Sequence, residues 1–385
     1  MSFTKFPSNA KATPAPFKIS SSGRSSGLRL AKVAPATYES SRSDRKFGVT
    51  TEWIKNAKAE WESFDWRSVE TRVNALPQYL ASITDTDGTI YEMHFFALFS
   101  EKPDAVPIVM LHGAFMEFET ILNILSTRYT PATLPYHVVV PSLPGHAISS
   151  PPPLDREFQL QDVARLVNTL MVQLGFDEYV VQGGDIGSQT ARILVCEHAN
   201  CRAIHMNFCH MIAPANFDVS VLNEKDRAAA ARSDEFVRFG ASYAFEQATR
   251  LSTIGFVLAS SPLALLKFMD WTDEDPSMAT ILEFVSLYWF TDTTARSFYP
   301  YRQTTPANVN HVNINTNPNW HITKPFGFPS FPKEILPSPR AWIEGTGSLA
   351  FYREHDKGGH FAALEHPETL LKDVEDFVAR VARMQ

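Results

Sequence analysis

The 385-residue chain is poor in cysteine, has no long apolar run and carries no excess of basic charge. Each shortage removes a class of protein. Its three cysteines, Cys196, Cys201 and Cys209, form no Cys-x-x-Cys pair and have no nearby ligand set. That pattern opposes a disulfide framework or a zinc site and fits reduced thiols in a cytoplasmic protein. No stretch approaches the roughly eighteen apolar residues that cross a bilayer, so no membrane span is expected. A net charge of −7 opposes nucleic acid as the main partner, because neutralising phosphates needs a basic surface. The first 38 residues lack Asp and Glu and are rich in Ser, Lys and Arg, a composition shared with transit peptides. They hold no apolar core of the kind a secretory signal needs. A mostly irregular arm is expected there, with Phe17-Lys18-Ile19-Ser20 as its first extended piece.

Apolar and aromatic residues are plentiful, at 44% and 12% of the chain, enough for a substantial core. The length suits one large α/β domain with an insertion, or two to three small domains. Residues 51–80 read as a helical segment in which Trp53, Trp61, Phe64 and Trp66 recur at spacings that share one side and suit core packing. After the turn Asp85-Thr86-Asp87-Gly88, Tyr91 to Ser100 alternates as a strand. Val106 to Leu111 and Tyr136 to Val140 are short apolar runs suited to strands buried on both faces. Leu160, Val163, Leu166, Val167, Leu170, Met171 and Leu174 then form the stripe of an amphipathic helix. Further strands are expected at Tyr179 to Gln182 and Ala203 to Phe208.

From about residue 213 to 317 the pattern becomes helical, with helices expected at Asn223–Phe239, Ala241–Leu251, Pro262–Asp270 and Met278–Thr291. Alternation then resumes with a strand at Pro325–Phe331, a helix at Pro339–Glu344, a strand at Leu349–Arg353 and a closing helix at Pro367–Met384. The expected fold is α/β with a mostly parallel central sheet and reactive residues at the carboxyl ends of its strands. Residues 1–100 form an N-terminal extension, 101–212 and 318–385 the two parts of the core, and 213–317 a helical lid.

Gly183-Gly184-Asp185-Ile186-Gly187, between an apolar run and a helix-forming one, has the spacing of a nucleophile elbow. The central residue is an aspartate, and a carboxylate nucleophile leaves its substrate as an ester on the enzyme. From these five residues alone, a glycine-rich turn with a solvated Asp explains the stretch equally well. Clearing such an ester requires a base, and a histidine poised near neutral pH is the usual one. His360, in Asp356-Lys357-Gly358-Gly359-His360, follows the last expected strand. Glu334 follows the penultimate strand and is placed to orient the imidazole; Glu344 and Asp356 are weaker candidates for that acid. The chain order nucleophile, acid, histidine is that of α/β-hydrolases.

With these residues in order, the chain resembles the epoxide hydrolase family of the α/β-hydrolase fold, in the soluble fungal branch related to the microsomal enzyme. The matching stretches include Phe64-Asp65-Trp66-Arg67, Val139 to Gly145, Gln182 to Ser188, Tyr243-Ala244-Phe245-Glu246, Tyr288 to Asp292, Tyr299-Pro300-Tyr301-Arg302, Lys324 to Glu334 and Gly358 to Leu364. The resemblance implies Asp185 as nucleophile, Glu334 and His360 as the water-activating pair, and Tyr243 and Tyr299 as lid donors to the epoxide oxygen. Tyr301, two residues on, is an open alternative. It also implies no cofactor, no metal and a small-molecule epoxide as partner; a homodimer is a further assembly to test. Detoxification and secondary metabolism are the expected settings. An epoxide-opening cyclase of the same family and a catalytically degenerate relative are the rival readings.

The family's His-Gly-Trp-Pro-Gly becomes His112-Gly113-Ala114-Phe115-Met116 here, a segment one or two residues shorter. The resemblance places the oxyanion donors at the backbone N–H groups of Ala114 and Ile186, and loss of the bulky Trp is expected to open the pocket beside the nucleophile. Gln247 stands where the family usually has histidine, and Leu251 where it has proline.

Overall fold

The computed structural model describes residues 3–20, 32–44, 47–211, 213, 217–267, 276–306 and 311–384. The chain starts with a short strand, β1 (Ala15–Pro16), followed by α1 (Thr51–Glu62), α2 (Trp66–Val73), β2 (Gln78–Thr84) and β3 (Ile90–Leu98). The first half of the core holds β4 (Val106–Leu111), α3 (Glu119–Arg128), β5 (Tyr136–Pro141), α4 (Leu160–Gln173), β6 (Tyr179–Gly183), α5 (Asp185–Glu197) and β7 (Cys201–Met206). A helical lid follows, made of α6 (Glu224–Phe239), α7 (Ser242–Thr249), α8 (Leu251–Ser260), α9 (Met278–Thr291) and α10 (Tyr299–Thr304). The core closes with β8 (Ile322–Ser330), α11 (Arg340–Glu344), β9 (Gly347–Glu354), α12 (Ala362–Glu365) and α13 (Pro367–Ala382).

Among the described residues, nine strands form one sheet in the order β1-β2-β3-β5-β4-β6-β7-β8-β9. The pairs from β5 through β9 are parallel, and β1, β2 and β3 form an antiparallel edge. The parallel strands are continuous apolar runs because both faces are covered. Ile108, Val109, Met110 and Leu111 of β4 are all buried. On one face, the stripe of α4 from Leu160 to Met171 packs with Ala191, Ile193 and Leu194 of α5. On the other, Ile121, Leu122 and Leu125 of α3 pack with Leu370, Val374 and Phe377 of α13. The strand order sets the carboxyl ends of β4, β6, β7, β8 and β9 side by side beneath the lid.

The N-terminal helices brace that lid. Ala57 and Trp61 of α1 share an apolar cluster with Ile254 and Leu258 of α8 and Ile281, Leu282 and Val285 of α9. The Trp61 indole N–H donates to Ser286 Oγ at 3.1 Å, and Arg72 of α2 bridges Glu119 and Glu283. Tryptophans in the 51–80 segment therefore pack between extension and lid as well as within the core.

Several expectations change. Residues 78–80 are not helical: Pro77 biases the preceding residue away from helix, and Gln78–Thr84 pairs along its whole length with β3. The first extended piece is Ala15–Pro16 rather than Phe17–Ser20, and residues 21–31 of the arm lie outside the described residues. The expected helix over 241–251 is two helices broken at Arg250, and the second runs to Ser260. Pro262–Lys267 is a 3-10 helix, while 268–270 of that expected helix lie outside the described residues. Helix α3, which carries no long amphipathic stripe, was not expected.

Replacing Trp61 with Ala should cost about 3–5 kcal/mol, the range for a deleted buried aromatic. Hydrogen exchange should then show α8 and α9 losing protection before the central sheet; equal loss across both would contradict a bracing role.

Candidate active site

The elbow forms where β6 turns into α5. A Cβ on Gly187 would lie 2.1 Å from Leu111 O of the neighbouring β4, and one on Gly183 would lie 2.5 Å from Gly187 O. Only glycine allows that approach, and the approach makes the turn sharp. Asp185 sits at φ +46°, a left-handed conformation that costs a non-glycine residue about 1–2 kcal/mol. Its carboxylate is thereby raised off the sheet, 29% exposed, into the space under the lid.

His360 reaches the same point from the loop after β9. Its Nε2 lies 3.6 Å from Asp185 Oδ1, and its Nδ1–H donates to Glu334 Oε1 at 2.6 Å. Glu334 Oε1 also accepts from the Ile335 N–H at 2.6 Å, and the carboxylate is buried. The two loops are stitched together where Lys333 N–H donates to Gly358 O at 3.0 Å. From the lid, Arg232 of α6 donates to the carbonyls of Glu334 and Lys333 at 2.7 and 3.1 Å. The other acids considered lie elsewhere: Glu344 pairs with Arg340 on the surface, and Asp356 is exposed.

Burial pushes the His360 imidazole down, but the charge and hydrogen bond of Glu334, with the charge of Asp185, outweigh it and raise it to about 9. Nearby His112 and His146 are lowered to about 4, chiefly by burial, and stay neutral. One imidazole of the three is therefore equipped to carry charge.

Two tyrosine hydroxyls close the site from the lid. Tyr243 of α7 and Tyr301 of α10 hydrogen-bond each other, with ring centroids 6.0 Å apart, and both line the cavity that holds Asp185. Burial pushes both phenols well up, so they remain proton donors. Tyr299 does not join them. It packs edge-on to Phe158 at 5.2 Å, and its hydroxyl is buried without a hydrogen-bond partner among the described residues. Residues two apart on a helix point to nearly opposite sides. In α10, Tyr301 takes the cavity side and Tyr299 the core side, so Tyr301, and not the expected Tyr299, stands opposite Tyr243.

The shortened loop after β4 places Gly113 and Ala114 on the cavity wall across from the elbow. The Ile186 N–H, in the first turn of α5, has no intrahelical acceptor by helix geometry. Ala114 and Ile186 both line the cavity beside Asp185. Phe115 turns away into the core against Phe96 at 4.6 Å, leaving the small Ala114 on the cavity wall with Asp185. Two residues that sequence reasoning passed over also line the cavity, Glu117 and Tyr288. Glu117 is buried, its Oε1 lies 3.8 Å from His112 Nδ1, and its Oε2 has no partner among the described residues. Burial raises its carboxyl to about 8 against the pull of His360. A lone acid in the apolar run Ala114 to Phe118 was the signal that could have found it.

The cavity of about 220 Å³ continues past Asp185, Ile186, Tyr243 and Tyr301 into a second of about 520 Å³. Among the described residues, no three His, Cys, Asp or Glu side chains converge as a metal site, and no helix is long and apolar enough to cross a membrane.

An aspartate at a sharp strand-to-helix turn, with a histidine–glutamate pair on the loops after neighbouring parallel strands and an inserted helical lid above them, has the architecture of an α/β-hydrolase. The family model for the alpha/beta hydrolase fold matches residues 106–312, and that for the epoxide hydrolase N terminus matches residues 14–118. A putative epoxide hydrolase of Dothistroma septosporum is 40% identical over 394 residues, covering 98% of this chain and 92% of the relative. The solved structure of Aspergillus niger epoxide hydrolase matches with a TM-score of 0.93 at 45% identity, covering 99% of this chain and all of that one. The juvenile hormone epoxide hydrolase of the silkworm Bombyx mori shares the fold, with a TM-score of 0.84 at 19% identity and full coverage of both chains. The chain belongs to the epoxide hydrolase family and is a hydrolase.

Glu117 generates a pH prediction. Its folded pKa of about 8 lies above the ordinary 4.5, so the native state keeps a proton that the unfolded chain releases. Stability should therefore fall as pH rises from about 4.5 to about 8, by up to about 1.4 kcal/mol per unit, and then level off. Glu117→Gln should remove that slope in denaturant titrations; parallel curves for the two proteins would contradict a neutral Glu117.

Proposed function

We propose that this hydrolase opens an oxirane to a vicinal diol through an alkyl ester on Asp185. The observation that carries the reading is the convergence on one cavity of a strained aspartate, a histidine–glutamate pair and two facing phenols. Asp185 attacks a ring carbon as the C–O bond breaks, and Tyr243 and Tyr301 supply hydrogen bonds to the departing oxygen. Two such donors suit this leaving group, because an alkoxide departs poorly without them. Neutral His360 then takes a proton from water, and the resulting hydroxide attacks the Asp185 carboxyl carbon. The N–H groups of Ala114 and Ile186 hold the oxyanion that forms. Collapse breaks the ester and His360 returns its proton to the ester oxygen that departs. The second water proton, left on the Asp185 carboxyl, replaces the one a lid tyrosine passed to the epoxide oxygen, so a neutral diol leaves with Asp185 restored.

The electrostatics support this order. Asp185 is one of the two carboxylates that raise His360, and esterification removes its charge. The imidazolium then loses support at the moment a neutral base is needed. Glu334 remains to orient the ring and to stabilise the charge that returns during water activation. The three free thiols support a cytoplasmic setting for the same activity.

Asp185→Asn is expected to be inactive, and His360→Gln to accumulate an adduct on Asp185 with the mass of the added epoxide. An active Asp185→Ala protein, or His360→Gln without adduct, would contradict the mechanism. Tyr301→Phe should slow adduct formation by about 100-fold, the scale of one lost oxyanion donor, and Tyr299→Phe far less. In wild-type pre-steady-state assays, breakdown of the ester should speed up with rising pH and flatten below about 9, because the ester form of His360 is less basic. A breakdown rate that falls with pH would contradict His360 as base.

A further inference from the structure

Gln247 is a buried lid residue whose placement the reaction above does not use. It lies one turn beyond Tyr243 on α7, and both side chains line the cavity that holds Asp185. Side chains four apart on a helix stand about 5–6 Å apart on the same face. The surrounding lid wall is largely apolar, with Leu265, Ile281, Phe284, Val285 and Phe298. Gln247 is only 1% exposed, and its Nε2 has no hydrogen-bond partner among the described residues. A buried amide left unpaired is costly, and a leucine or methionine would fill the same volume without that cost. A packing role therefore does not explain a carboxamide at this position; a ligand that pairs with it does.

We infer that Gln247 selects epoxides that carry a carbonyl oxygen a few bonds from the ring, on the side chain that runs along α7. This rests on the proposed epoxide-opening reading of the site. With the oxirane oxygen at Tyr243 and Tyr301, a carbonyl about 5–6 Å further along the helix meets the Gln247 amide. A plain hydrocarbon chain in that place leaves the amide unpaired, so the enzyme discriminates against it. Sites that hydrogen-bond a substrate group reject analogues lacking the group far more strongly than apolar pockets reject a missing methylene. The restriction falls on the smaller cavity; the larger one, which shares Asp185, Ile186, Tyr243 and Tyr301 with it, takes the second substituent.

The test compares 1,2-epoxydecane with its 5-keto analogue, by diol formation with wild-type protein and with Gln247→Leu. Wild type is expected to favour the ketone in kcat/KM by about tenfold or more. Gln247→Leu should erase that preference by losing rate on the ketone and gaining rate on the hydrocarbon. Gln247→Met serves the same purpose if the leucine variant melts early. A preference that is absent in wild type, or that persists in both variants, would overturn the role of Gln247 while leaving the epoxide-opening reading intact. Failure of wild type to open either compound, with no adduct on Asp185, would overturn that reading and this inference with it.

Discussion

Everything at this site depends on how closely the start of α5 presses against β4. Gly187 has no room for a Cβ against the Leu111 carbonyl, and Gly183 none against Gly187. That contact drives Asp185 into the left-handed region and lifts its carboxylate clear of the sheet. The strain is sustained because α5 is anchored along its length, by apolar packing on α4 and by buried Arg192, which donates to Trp320 O and Thr346 O. A flat glycine loop would leave an ordinary solvated aspartate. The close approach leaves it strained and partly exposed at the cavity instead.

The other groups are then placed by strand order more than by local sequence. β8 and β9 end beside β6 and β7, so loops of modest length bring Glu334 and His360 together, and the Lys333–Gly358 hydrogen bond fixes their spacing. The lid is equally fixed. Trp61 and Arg72 tie α9 to the N-terminal helices, and Arg232 ties α6 to the acid loop. The proposed formation and clearing of an ester on Asp185 calls on this rigidity, because the same few groups serve both steps and each must be in range for its own.

Much of this was legible in the sequence, for physical reasons. The strands buried on both faces announce themselves as unbroken apolar runs, and the stripe of α4 has helical period. The elbow is legible because only small residues permit it, and Asp185, Glu334 and His360 follow the chain order that the topology demands. What was not legible turns on which side a residue faces. Tyr299 and Tyr301 have the same chemistry and are two positions apart; the packing of α10 on Phe158 decides between them, and that packing is a tertiary fact. Glu117 hides in an apolar run because the cavity wall is itself mostly apolar. Residues 78–80 continue a helical pattern, yet pairing with β3 overrides it. The changed loop at Ala114 was visible as a departure, but that Phe115 would leave the cavity for the core was not.

In the proposed mechanism Asp185 itself bonds to the substrate carbon and gives up its own oxygen to the product. A single-turnover reaction in heavy-oxygen water, with enzyme in excess over an epoxide, tests it directly. An unlabelled diol and one heavy oxygen in the peptide containing Asp185 are expected, because water attacks the carboxyl carbon and the diol takes the original aspartate oxygen. A diol already labelled in that first turnover, with an unlabelled Asp185 peptide, would mean that water attacks the epoxide directly, and would contradict the account.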